Sequence, residues 1–175
     1  MMRDMKIAFV TGATGLLGNN LVRMLLAEGV QVRGLARSAE KARQQFGDLA
    51  GLEIVEGDME DVTGFAGALA GCDTLFHTAA YFRDSYYGGS HWDKLKAINI
   101  DATGRLLIAA HEAGIRQIVH TSSIAVVDGK KGQVVDETMK RPASGADDYY
   151  RSKILSDQTV MAHLDRHPET FGVFV

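Results

Sequence analysis

Two spacings of apolar residues alternate along the chain. Short runs rich in β-branched and aromatic residues read as strands, and stretches with apolar residues three and four apart read as helices. Lys6–Thr11 (KIAFVT) is the first strand. Leu16–Glu28 follows with apolar residues at Leu17, Leu21, Val22, Leu25 and Leu26, a helical stripe that Gly29 stops. Gln31–Ala36 is the second strand, and Ser38 caps a short helix running to Gln45. Leu52–Glu56 is the third strand, followed by a weak, glycine-interrupted helix over Val62–Leu69. Thr74–Thr78 is the fourth strand. A long helix is predicted over Trp92–Glu112, ended by Gly114. Gln117–Ser122 is the fifth strand. A helix over Asp147–Arg166, stopped by Pro168, leads to a sixth strand at Phe171–Val175.

Regular alternation of strand and helix implies parallel strands joined by right-handed crossovers, with helices on both faces. The expected fold is therefore α/β, a doubly wound parallel sheet, occupying residues 1–175 as one domain. Ligands of such sheets bind at the carboxyl ends of the strands. The least regular segment, YFRDSYYGGSHW (Tyr81–Trp92), follows the fourth strand and falls at that end. The chain stops on FGVFV with no turn or helix after it. This reads as a chain truncated before a C-terminal substrate-binding part.

Composition narrows the picture only a little. A length of 175 residues, 46% hydrophobic and 23% charged, suits one soluble domain with a real core. The net charge of −3 gives no electrostatic case for nucleic acid or anionic membranes as partners. No apolar run reaches spanning length and the N-terminus lacks a signal-peptide layout, so a cytoplasmic protein is expected. The single cysteine, Cys72, excludes an internal disulfide and reads as a packing residue rather than a nucleophile.

The candidate chemistry begins at VTGATGLLG. Gly12, Gly15 and Gly18 sit where the first strand turns into the first helix. A dinucleotide pyrophosphate needs main-chain N–H groups within hydrogen-bonding distance, which a Cβ would obstruct, and a helix N-terminus adds about half a positive charge. Gly12 suits the tight turn, Gly15 the close approach, and Gly18 the packing of helix on strand. Thr14, Leu16 and Leu17 fill the intervals and belong to the same cofactor-binding crook. At the other end of the chain, Tyr149 and Lys153 are four apart on one helical face. A phenol with a pKa of about 10 needs about 4 kcal/mol of help to act near neutrality. One ammonium about 4 Å away supplies about that much at an effective dielectric of about 20. Tyr150, three before Lys153, is the rival. Ser123 follows the fifth strand, where a hydroxyl can donate to a carbonyl oxygen; Ser122 and Thr121 compete for that role.

Together, TGATGLLG (11–18), GDMED (57–61), HTAA (77–80), INIDAT (98–103), VHTSSIAVV (119–127) and YYRSK (149–153) resemble the extended short-chain dehydrogenase/reductase family, also called the NAD-dependent epimerase/dehydratase family. Within it, VRGLARS, HTAAYFRD and TSSIAVV look most like the dihydroflavonol-4-reductase-like branch. The resemblance implies a Rossmann fold and a nicotinamide cofactor. It selects Tyr149 as acid/base, Ser123 as the carbonyl-polarising hydroxyl, Lys153 as the residue tuning the tyrosine and holding the nicotinamide ribose, and Asn99 as support. It places Asp58 at the adenine amino group with Met59 flanking the ring. It sets Thr78, Ala79 and Ala80 against the pyrophosphate and ribose, and makes His77 a strand residue.

In NAD-binding relatives an acid ends the second strand. Here Ala36 occupies that place and Arg37 follows, a cation suited to a 2′-phosphate, with Ser38 able to add a hydroxyl. The expected cofactor is NADP, with NAD as the alternative. The expected activity is NADP-dependent reduction of a carbonyl on a small organic substrate. The alternatives are a nucleotide-sugar epimerase or dehydratase, and a non-catalytic NADP-binding module. The stripe Ile98, Leu106, Leu107 and Ile108 is core or, as in relatives, a homodimer contact. His163 and His167 lie four apart, but no third ligand is evident from sequence, so they read as solvated histidines and no metal is expected.

Overall fold

A computed structural model describes residues 5–82 and 91–175. Six parallel strands form one sheet: β1 (Ile7–Thr11), β2 (Gln31–Ala36), β3 (Leu52–Glu56), β4 (Thr74–His77), β5 (Gln117–His120) and β6 (Phe171–Phe174). Their order is β3-β2-β1-β4-β5-β6. The helices are α1 (Leu16–Ala27), α2 (Ala39–Phe46), α3 (Val62–Phe65), α4 (Trp92–Leu95), α5 (Ala102–Glu112) and α6 (Asp148–Arg166). Among the described residues, no helix is long and apolar enough to cross a membrane.

Successive side chains of a strand point to opposite faces, and β1 shows the result. Ala8 and Val10 pack with Val22, Leu25, Ala42 and Phe46 beneath α1 and α2. Phe9, between them, packs with Phe65, Leu69, Leu106, Leu107 and Val160 on the other face. Each such fully buried side chain contributes about 1.5–3 kcal/mol. Burial on both faces is why β1 reads as a continuous apolar run. Cys72 is buried, and burial pushes its thiol up, as befits a packing residue.

The chain winds outward from β1 in one direction, then crosses to β4 and winds in the other. The register Val10↔Gly34 on one side and Thr11↔His77 on the other puts the carboxyl ends of β1, β2 and β4 together. A sheet that reverses order in this way opens a crevice there.

Two expected helices are interrupted. The weak helix divides into α3 and a 3₁₀ stretch, Ala66–Leu69, in the region of Gly64 and Gly67. The long helix is α4, a π-helical stretch over Lys96–Asp101, then α5. Wider winding inserts an extra residue per turn and is frequent at functional sites. In the apolar stripe, Leu106 and Leu107 are core, but Ile108 is 54% exposed. The Tyr81–Trp92 loop falls largely outside the described residues, only Tyr81, Phe82, His91 and Trp92 being described.

Candidate active site

The crook between β1 and α1 is built by absence of side chains. Gly12 has φ +65°, and a Cβ there would meet the Ala79 backbone at 2.9 Å. A Cβ on Gly18 would overlap the Gly12 carbonyl oxygen and lie 2.8 Å from its carbon. Gly15 has an ordinary extended conformation and is exposed; its main chain caps α1. With no side-chain cap and no acid in the first turn, α1 directs its opening amides outward. The cradle fits an anionic diphosphate. Thr14 turns its carbonyl to Gln45 Nε2, at 3.2 Å. Leu16 and Leu17 are 88% and 51% exposed beside these amides.

Polar side chains lock the β1 and β4 ends together. Thr78 Oγ1 donates to the Thr11 carbonyl at 2.7 Å. A second set has only one consistent proton order. The Asn99 carbonyl can only accept, so Thr103 Oγ1 donates to it and must itself accept from His77; with His77 neutral, its Nδ1 then accepts the Thr11 hydroxyl at 2.8 Å, and Thr11 Oγ1 also accepts the Ala79 amide at 3.2 Å. His77 Nε2 then carries the proton given to Thr103 Oγ1 at 2.9 Å, and Thr103 donates to the Asn99 carbonyl at 2.8 Å. His77 is neutral in this chain. Burial holds it well below the ordinary histidine value, helped by His120 and Lys153. It is a strand residue tying the cleft walls. Ala80 follows, exposed.

Beyond β2, Ala36 is buried and Arg37 exposed, while Ser38 Oγ accepts the Lys41 amide at 3.3 Å as the α2 cap. Asp58 accepts the Glu60 amide at 3.0 Å, capping a 3₁₀ turn. The Met59 side chain is buried in the core, so the expected place beside an adenine ring falls to its main chain.

The opposite wall works with buried polar groups. Asn99 lies in the π-helical stretch, 2% exposed, with both amide hydrogens and the amide oxygen engaged. Its Oδ1 accepts the Tyr81 amide at 2.8 Å; its Nδ2 donates to the Tyr81 carbonyl at 3.1 Å and to Ser152 Oγ at 3.0 Å. It therefore fastens the start of the Tyr81 loop to α6.

Three hydroxyl-bearing residues end β5, and the structure separates them. The Thr121 carbonyl accepts from Lys153 Nζ at 2.7 Å. Ser122 Oγ donates to Asp157 Oδ2. Ser123 Oγ accepts the Ala125 amide at 3.2 Å, which leaves its own O–H to donate. Ser123 and Tyr149 line one cleft of about 670 Å³, with Phe82, His91, Leu95 and Tyr150. Tyr149 sits in the first turn of α6, its ring 4.7 Å from that of Phe82 and edge-on to it. Tyr150, the rival, has the Arg141 guanidinium 5.5 Å over its ring.

Lys153 is 5% exposed; burial lowers its ammonium's pKa, against the pull of Asp157 one turn on. Asp157 was not singled out from sequence. Its second oxygen accepts from His120 Nε2 at 3.0 Å, and burial keeps His120 below its ordinary value despite that bond. The available signal was its position four after Lys153 on the same face.

A third group stands elsewhere. His163 is 2% exposed, not solvated as the sequence suggested, and His111 of α5 joins it and His167. Their donor nitrogens lie within 4.8 Å of one another.

Known proteins share this architecture. The chain is 37% identical over 153 residues to sterol demethylase protein B of Methylococcus capsulatus, covering 87% of this chain and 45% of that protein. It is 37% identical over 163 residues to a putative dihydroflavonol 4-reductase of Synechocystis, covering 87% and 43%. A solved short-chain dehydrogenase/reductase superfamily protein from Agrobacterium tumefaciens, with bound NAD, superposes with a TM-score of 0.78 at 28% identity, covering 96% of this chain and 48% of that one. The chain spans under half the length of these relatives. The model of the NAD dependent epimerase/dehydratase family matches residues 8–175, and the chain belongs to that family.

Proposed function

We propose that this chain is the cofactor-binding and catalytic half of an NADP-dependent reductase acting on a carbonyl of a small organic substrate. The observation that carries the reading is the sorting of groups at the end of β5. The Thr121 main-chain carbonyl and the Ser122 hydroxyl are engaged with Lys153 and Asp157, while Ser123 faces the same cleft as Tyr149. Two hydroxyls on one cleft can meet one carbonyl oxygen.

The dinucleotide would lie along Gly12, Thr14, Gly15, Leu16, Leu17 and Gly18, with Thr78, Ala79 and Ala80 opposite. When bound, it supplies the hydride. Ser123 donates a hydrogen bond to the carbonyl oxygen and stabilises the negative charge that develops there. Tyr149 delivers the proton to that oxygen. Lys153, one turn along α6, lends positive charge to the phenolic oxygen and reaches the nicotinamide ribose. Asn99 and Ser152 hold the wall in place. Arg37, with Ala36 in place of an acid, favours a 2′-phosphate. Asp58 and the Met59 main chain are assigned to the adenine end. The oligomer expected is a homodimer, through the exposed side of α5 at Ile108.

The relative from Agrobacterium tumefaciens holds NAD. That favours a second reading, an NAD-using epimerase or dehydratase. Calorimetric titration with NADPH and NADH separates the two, followed by a panel of ketones and aldehydes monitored by cofactor absorbance. Tighter NADPH binding and carbonyl-dependent oxidation of NADPH are expected. NADH binding at least as tight, with turnover of nucleotide sugars alone, would replace the first reading by the second.

A further inference from the structure

At the amino ends of β5 and β6, away from the cleft, three imidazoles converge from separate places in the chain. His111 lies in the last turn of α5, His163 in the last turn of α6, and His167 caps α6. The His111 and His167 ring centres are 3.9 Å apart, and those of His163 and His167 4.5 Å. Glu169 follows Pro168 and sets Oε1 3.7 Å from His111 Nδ1 and 3.8 Å from His167 Nδ1. We infer that His111, His163 and His167 form a binding site for a divalent transition-metal ion, best suited to Zn²⁺, with Glu169 as the fourth donor.

The argument starts from unmet chemistry. His163 Nε2 and His111 Nδ1 are buried without a hydrogen-bond partner. Leaving such a group unsatisfied is costly, and a pair of them side by side calls for an explanation. An imidazole nitrogen with a lone pair and no donor facing it is ready to bind a metal. A tetrahedral zinc with bonds of about 2.0–2.1 Å needs its donors about 3.3 Å apart. Small side-chain rotations close the remaining gap from 4.8 Å.

The cations nearby do not occupy the centre. Arg116 Nη1 donates to the His111 and Ile115 carbonyls, and Arg166 Nε to the Ala162 carbonyl. Arg116 Nε also lies 3.9 Å from Glu169 Oε1, so Glu169 can leave one partner for a stronger one. Three imidazoles and one carboxylate form a nitrogen-and-oxygen set suited to zinc rather than to magnesium or calcium. Bound there, the ion would pin the end of α5 to the end of α6 and to the lead into β6. It stands apart from the cofactor cleft, so its role is to hold the fold.

The test uses the untagged full chain, stripped with a chelator and titrated with Zn²⁺ by calorimetry and with Co²⁺ by visible absorption. Uptake of one equivalent per chain is expected, with the intense colour of four-coordinate cobalt and a rise in Tm on adding Zn²⁺. His167→Gln should weaken affinity by about 100-fold or more, exceeding the loss typical of an outer-shell partner, and should abolish the Tm rise. His163→Gln should do the same. His167 is half-exposed at a helix cap, so that variant decides the matter even if His163→Gln does not fold. Absence of saturable uptake, or uptake and colour unchanged in His167→Gln, would overturn the inference. Mg²⁺ serves as the control and should neither bind at one equivalent nor raise Tm.

Discussion

The two walls of the cleft solve opposite problems. The β1–α1 wall presents main chain, and its residues matter for what they lack. The β5–α6 wall presents buried polar side chains, and its residues matter only if each hydrogen bond is met. A cradle of bare backbone tolerates no added atom; a network of buried polar groups tolerates no missing partner. The first fails by collision, the second by leaving a neighbour stranded.

The largest expected effect tests the second wall at its working atom. Tyr149→Phe should lower kcat/KM for carbonyl reduction by about 1,000-fold, with NADPH affinity close to that of the unaltered protein, as read by steady-state kinetics beside calorimetry. Equal activity would remove the assigned acid. Next comes the first wall. Gly18→Ala puts a methyl into the Gly12 carbonyl and should destabilise the fold by about 3 kcal/mol. Gly67→Ala, where a Cβ meets open space, should be neutral or slightly stabilising. Urea denaturation of the pair measures how far collision alone accounts for the difference.

Asp157→Asn keeps the shape but replaces an acceptor by a group that is half donor. With Ser122 and His120 both donating to it, one is left facing an N–H, at a cost of about 2 kcal/mol. The same wall should show itself in pH. His77 and His120 stay neutral in the native protein below the value where an unfolded histidine takes a proton, about 6.5. Protons then bind the unfolded chain preferentially, so stability is complete above pH 6.5 and lost as pH falls. The loss should be about 1 kcal/mol from His77 between pH 6.5 and 5.5, with a smaller share from His120, whose bond to Asp157 opposes its burial, measured by urea titration at both pH values. A flat profile would contradict the neutral assignment. The smallest effect belongs to an exposed residue of the first wall: Arg37→Ala should weaken NADPH about 10-fold and leave NADH unchanged.

The two walls also differed in legibility. TGATGLLG announces a crook, since three glycines between a strand and a helix have few other uses. All six strands were legible as short runs of β-branched and aromatic residues between turn signals, clearest in β1 and β4, which are buried along nearly their whole length. KAINID, by contrast, has an ordinary helical pattern, and nothing in it signals the wider winding that presents Asn99. Asp157 looks like a solvated acid until α6 packs against β5. The meeting of His111 with His163 and His167 depends on α5 and α6 lying side by side, a relation between distant segments that local spacing does not contain.

The relay from the Ala79 amide through Thr11, His77 and Thr103 to the Asn99 carbonyl runs in one sense only. The Asn99 carbonyl, able only to accept, fixes Thr103 as a donor, and a neutral His77 passes that sense back to Thr11. Such a sequence behaves like a sentence with a fixed word order. Thr103→Val would leave His77 with a proton and no one to give it to, and Thr11→Val would silence the opening word. Change at these positions must therefore come in compatible sets, and a variant that swaps one alone inherits the fault of the whole line.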